Sequence, residues 1–198
     1  MLALYAASAL RALGWIGPFL YLGAYYVERH GLSLRQVGLA YMVASGGMFA
    51  GNLAAGRWLA GRDLRPAFAA STALLALAWA AVFTLPLPAA LAVAAATVAA
   101  GAAGFGWIAL TALLAAETPA GPGTTMTLNS SVFALGSALG SAAGGLLVGL
   151  GGFVLLGTIL PVATLAAALF AWRPRLALPH PRHVPGTRPA GVPEQPVG

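Results

Sequence analysis

Residues 125–172 read TMTLNSSVFALGSALGSAAGGLLVGLGGFVLLGTILPVATLAAALFAW, with no charged side chain among them. A helix needs ~20 mainly apolar residues to cross ~30 Å of hydrocarbon, so this stretch is long enough to cross twice. Gly151-Gly152 lies near its middle and marks the turn, which predicts helices over about 125–150 and 153–172. Toward the N-terminus the same pattern returns over about 4–26, 36–59, 67–85 and 89–116. These stretches are separated by a turn holding Glu28, Arg29, His30 and Gly31, a charged loop from Gly61 to Pro66, a sharp turn with Pro86 and Pro88, and a loop from Glu117 to Gly123. The expected fold is an all-α membrane protein with six transmembrane helices in residues 1–172. Residues 173–198 are rich in proline and arginine without apolar periodicity, and are expected to form a disordered tail.

Composition points the same way. The chain is 60% hydrophobic and 7% charged, with a mean hydropathy of +0.86, whereas a soluble domain carries about 25% charged residues. The lipid bilayer is therefore the first partner. The absence of cysteine excludes disulfides, thiolate metal sites and a cysteine nucleophile. The absence of lysine excludes a phosphate-cradling loop of the kind that drives nucleotide-fuelled pumps. The acids are Glu28, Asp63, Glu117 and Glu194, none of them in the middle of a predicted helix and no two placed for general acid–base work. No enzyme is expected. His180 and His183 stand three apart in the tail, a weak metal signal, so neither metal nor cofactor is expected. The start lacks a basic region and Arg11 interrupts its apolar run, which argues against a cleavable signal peptide.

The net charge of +6 comes entirely from arginine. The arginines lie between apolar stretches and after the last one rather than on one soluble face, so nucleic acid is not an expected partner. An even number of spans puts both termini on one side. Arg57, Arg62, Arg65, Arg173, Arg175, Arg182 and Arg188 fall on that side, and Arg29 and Arg35 on the other. The positive-inside rule then places both termini in the cytoplasm of a multi-pass protein of the cell (plasma or inner) membrane.

Helical periodicity sorts the faces. On the first helix Arg11, Trp15, Pro18 and Tyr25 share a stripe, with Ser8 and Gly14 at its margins, while Leu13, Ile16, Leu20 and Val27 lie opposite. A charged residue near a helix centre costs roughly 2.5–3.5 kcal/mol on insertion scales. Arg11 is thus either part of a substrate or proton pathway or a side chain that snorkels to the near interface. Tyr25 and Tyr26 are expected as interfacial anchors. Gly136, Gly140 and Gly144 recur every four residues on the fifth helix, as Gly47 and Gly51 do on the second, and small residues at this spacing admit close helix packing. Asn129, with Phe133 on the same stripe, is either a packing hydrogen bond or a cavity residue. The substrate-cavity candidates are Ser8, Arg11, Trp15, Asn129 and Phe133.

The order of features resembles the C-terminal six-helix half of a major facilitator superfamily transporter. Ala-Leu-Arg-Ala-Leu-Gly-Trp at 9–15 and the run from Tyr21 to Tyr26 are similar to that family's seventh helix, and Gly31-Leu32-Ser33 with Gln36-Val37-Gly38 to its next loop and helix start. Leu128-Asn129-Ser130-Ser131-Val132-Phe133 followed by Gly136, Gly140, Gly144 and Gly145 resembles the eleventh helix of drug- and sugar-efflux members. Residues 56–65 resemble the family's cytoplasmic Gly-x-Leu-x-Asp-Arg-x-Gly-Arg signature through Gly56, Leu59, Arg62 and Arg65, with a slip of one residue and with Ala60 or Gly61 in place of the acid. Asp63 is the acid available to substitute for it, through a neighbouring arginine or a helix terminus.

The resemblance implies efflux of a small organic solute, proton-coupled in the family's manner. It also implies that a second six-helix half comes from a longer protein, another chain or a second copy in a parallel homodimer; a fragment or truncated reading frame is the expectation. No embedded acid is present to carry the proton, so the coupling acid is expected in the other half. The competing reading is a non-transporting six-helix membrane scaffold or assembly subunit.

Overall fold

A computed structural model describes residues 2–117 and 121–172. The expected tail, with His180 and His183, lies outside the described residues. Among the described residues there are five helices: α1 (Leu2–His30), α2 (Leu34–Trp58), α3 (Leu64–Thr84), α4 (Ala89–Glu117) and α5 (Pro122–Trp172). All five are long and apolar enough to cross a membrane. The chain is a multi-pass helical membrane protein.

The sequence predicts six helices, and the described residues form five. The expected helices over 125–150 and 153–172 are one element of 51 residues. Only Gly151 (φ −147°, ψ 18°) and Gly152 (φ 67°, ψ −167°) leave helical geometry, so no separate loop divides the two parts. Two residues suffice because Gly152 adopts a positive φ that side-chain-bearing residues avoid. A straight helix of this length would measure ~76 Å, far more than a bilayer's hydrocarbon. Instead the two arms fold back beside α1, where Gly17 is approached by Gly140 on one arm and Leu160 on the other.

Contact order along the helices gives their directions. Gly136, Gly140 and Gly144 meet Ala9, Leu13 and Gly17 in step, so α1 and the first arm are parallel. Phe153 meets Tyr25, Leu160 meets Gly17 and Thr164 meets Gly14, so the second arm returns antiparallel. Gly47 and Gly51 meet Thr97 and Gly101, making α2 and α4 parallel. Trp15 and Tyr25 meet Trp79 and Phe83, making α1 and α3 parallel. The chain thus threads back and forth in six alternating arms built from five helices.

Local chemistry sets the ends. α1 does not stop at Tyr26; it runs on through Glu28, Arg29 and His30 and breaks at Gly31, whose φ is 63°. Ser33 and Gln36 form a capping box at the start of α2. Asp63 caps α3 by accepting from the Arg65 backbone N–H at 3.0 Å.

α1 packs against both arms of α5, α3 packs on the second arm, and α2 and α3 lie on either side of α4 without touching each other. The core falls into two clusters. One is centred on Trp15, Leu22, Trp79, Phe83 and Leu156, the other on Leu4, Phe68, Leu110 and Leu114. Tyr25 and Tyr26 are buried in the first of these rather than serving as interfacial anchors. α3 and the second arm of α5 bring Phe83 and Phe153 edge-on to the Tyr25 ring at 4.9 and 5.4 Å, which provides an aromatic surface inside the bundle.

Candidate functional site

Arg11 lies between the two core clusters and is 3% exposed. It does not snorkel. Its Nη2 donates to the carbonyl oxygens of Ala102, at 3.2 Å, and Ala103, both on α4. Its guanidinium carbon sits 5.8 Å from the Phe68 ring centre. Gly106 leaves room for this arrangement, since a Cβ there would lie 2.6 Å from Arg11 Nη2 and 2.6 Å from Ser71 Oγ. The Arg11 Nε has no hydrogen-bond partner, and Arg11 makes no ion pair among the described residues. A guanidinium offers five donors, and one left unpaired away from water is expensive. The site is therefore electrostatically incomplete toward an acceptor or an anion.

Arg11 borders a cavity of about 150 Å³ where α1, α2, α4 and α5 meet, lined by Arg11, Trp15, Met48, Ala103, Trp107 and Phe133. Trp107 and Phe133 meet edge-to-face at 5.0 Å, and Trp15 stacks on Phe19 at 4.8 Å. The walls are aromatic and apolar, with a single cation among them.

Of the five cavity candidates, Arg11, Trp15 and Phe133 line this space. Ser8 and Asn129 form a buried pair beside it, the Ser8 hydroxyl donating to Asn129 Oδ1 at 2.7 Å. Each lies about one helical turn from a lining residue, so the pair ties α1 to α5 at the cavity's edge. Met48, Trp107, Phe68 and Ser71 were not singled out by sequence as site residues. Trp107 stands among Gly101, Gly104 and Gly106, a visible signal, but one that reads as helix packing until the depth of Arg11 is known.

The glycines mark the closest helix crossings. Gly47 and Gly51 sit against the Thr97 and Gly101 backbone, Gly136 and Gly140 against that of Ala9 and Leu13, and Gly144 against the Tyr21 ring. Near the end of α2, Gly56 faces open space; in the loop that follows, Arg62 lies 5.5 Å over the Trp58 ring, and Asp63 is engaged as the α3 cap. The acid that meets Arg65 is Glu117, at 2.6 Å. This ion pair joins the start of α3 to the end of α4, a pairing that spacing within the loop does not reveal.

Among known proteins, the family model described as Major Facilitator Superfamily matches residues 4–196. No curated protein matches the chain.

Proposed function

The chain belongs to the major facilitator superfamily, a family of secondary transporters, and from that premise we propose that it moves a small organic solute out of the cell. In this reading it corresponds to the C-terminal half of a drug- or sugar-efflux member, and Arg11, Trp15 and Phe133 touch the solute. The observation that carries the proposal is the convergence of these three residues, from two helices, on one cavity whose only charged lining residue is Arg11, with its Nε unpartnered. Arg11 attracts a negatively charged or strongly accepting group, while Trp15 and Phe133 receive an apolar body. Ser8 and Asn129 hold the two lining helices in register. The likeness of residues 128–145 to the eleventh helix of efflux members supports the outward direction.

Coupling to protons is part of the proposal. The acids among the described residues are Glu28, Asp63 and Glu117, all at helix ends. The proton carrier then belongs to a second six-helix unit, docked on the exposed faces of α2 and the first arm of α5. Leu39, Met42 and Phe49 on the former and Leu135, Leu139 and Leu146 on the latter are open in this chain. A parallel homodimer or an adjoining half would supply the unit. The arginine distribution supports a cell-membrane location with both termini in the cytoplasm.

The test uses inside-out vesicles from cells producing the full assembly. A panel of labelled small organic acids and neutral drugs is offered with and without an imposed proton gradient. At least one solute should accumulate in a gradient-dependent way and lose at least about tenfold of its rate with Arg11→Ala, the equivalent of one ordinary charge-assisted hydrogen bond. Accumulation unaffected by Arg11→Ala rules out the assigned site. Accumulation that persists after the gradient collapses rules out proton coupling.

A further inference from the structure

Because α2 and α3 both pack on α4 but not on each other, they leave a groove between them with α4 as its floor. Its volume is about 740 Å³, and its lining changes character from end to end. The interior is apolar, formed by Ala70, Leu74, Val98, Gly101 and Phe105; the mouth carries Trp58, Arg62 and Asp63. Leu74 and Val98 are each 47% exposed. The groove therefore opens sideways, toward whatever surrounds the bundle, and in a membrane-spanning protein that is lipid.

Length and charge identify the occupant. Along α2 the groove runs from Gly51 to Trp58, and along α3 from Pro66 to Leu74, or ~11 to 12 Å at 1.5 Å per residue. One leaflet of hydrocarbon is ~15 Å deep. At the mouth, Asp63 is engaged as the α3 cap and Arg65 is paired with Glu117, whereas Arg62 is exposed, makes no ion pair among the described residues and lies over the Trp58 ring. Tryptophan and arginine at the end of a membrane-spanning helix are the side chains that meet a lipid headgroup. The geometry points to a binding site for one anionic phospholipid, with an acyl chain in the groove between α2 and α3 and the phosphate at Arg62.

The site lies directly behind the candidate cavity. Ala102 and Ser71 line the groove. The Ala102 carbonyl also accepts from Arg11, and the Ser71 hydroxyl sits against Gly106 beside Arg11 Nη2. An acyl chain in the groove thus presses on the α4 turn that holds the buried guanidinium. Lipid binding itself does not depend on the transport proposal.

The experiment incubates the full chain with mixed vesicles of equal parts phosphatidylglycerol and phosphatidylcholine, re-extracts it in mild detergent, and counts retained lipid by native mass spectrometry. The wild type should retain phosphatidylglycerol in preference to phosphatidylcholine by about fivefold, the effect of one surface arginine. Arg62→Gln should erase the preference. Arg35→Gln, at the opposite end of the bundle, should keep it. Ala70→Trp, an exposed position inside the groove, should remove retention of both lipids while thermal unfolding stays at the wild-type value. Equal retention of the two lipids by the wild type, a preference that survives Arg62→Gln, or retention that survives Ala70→Trp would each overturn the assignment.

Discussion

Arg11 is a burden on folding that the proposed transport would put to use. Burying a guanidinium without a counter-ion opposes insertion by roughly 2.5–3.5 kcal/mol, and two α4 carbonyl oxygens together with the Phe68 ring face offset only part of that. Replacing it with Met keeps the length and removes the charge. Arg11→Met should therefore leave the thermal midpoint of the purified protein unchanged or raise it, while solute transport falls by at least about tenfold. A large drop in midpoint would instead make Arg11 a structural residue and remove the reason to place it in a solute pathway. The stripe of Arg11 and Trp15 on α1 was legible in the sequence because helical periodicity fixes which residues share a face. Phe133 was legible for the same reason on α5. Trp107 and Met48 were not, because their relation to Arg11 depends on how four helices come together, and no spacing within one helix encodes that. Asp63 separates the two readings open to it, a neighbouring arginine or a helix terminus: the α3 N-terminus claims it, and Glu117, 52 residues from Arg65, makes the ion pair, a partner that no spacing in the loop reveals.

The glycine spacings of α2 and α5 were readable as close crossings, but they do not say which neighbour is crossed or in which direction. The contacts supply both. At Gly140 the backbone of Leu13 stands where a side chain would go, whereas Gly46 on α2 faces nothing within 4 Å. Gly140→Leu should destabilise the protein by about 1–3 kcal/mol, the usual range for overpacking, and Gly46→Leu should not destabilise it. Equal effects at the two positions, read as shifts in thermal midpoint, would mean that the α1–α5 crossing is looser than these contacts require. The miscount of six helices has a similarly local origin. A Gly-Gly pair announces a turn but not its length, and with only two residues out of helical geometry the two arms remain one element. The turn rests on Gly152 at φ 67°, so Gly152→Ala should cost about 1–3 kcal/mol, although no atom stands within 4 Å of where its Cβ would go. A shift in thermal midpoint well below that range would locate the bend elsewhere.

The alternation of parallel and antiparallel contacts puts the start of α1, the end of α2, the start of α3, the end of α4 and both outer ends of the α5 hairpin at one end of the bundle. Arg57, Arg62 and Arg65 gather there, and the Arg65–Glu117 pair closes α3 onto α4. The turn between α1 and α2, with Arg29 and Arg35, is at the other end. Arginine excess near helix ends directs insertion, so the end bearing Arg62 should face the cytoplasm. The lipid groove opens toward the same end, and the inner leaflet, with its negative surface potential, is the one in which Arg62 would find an anionic headgroup. A chain without cysteine makes the orientation simple to measure, because any introduced thiol is the only one. Leu34→Cys, at an 84% exposed position beside the α1–α2 turn, should react in intact cells with a membrane-impermeant maleimide. Ala60→Cys, in the exposed loop before α3, should react only after the membrane is permeabilised. The opposite pattern would put Arg62 in the outer leaflet and reverse the proposed direction of transport together with the expected lipid.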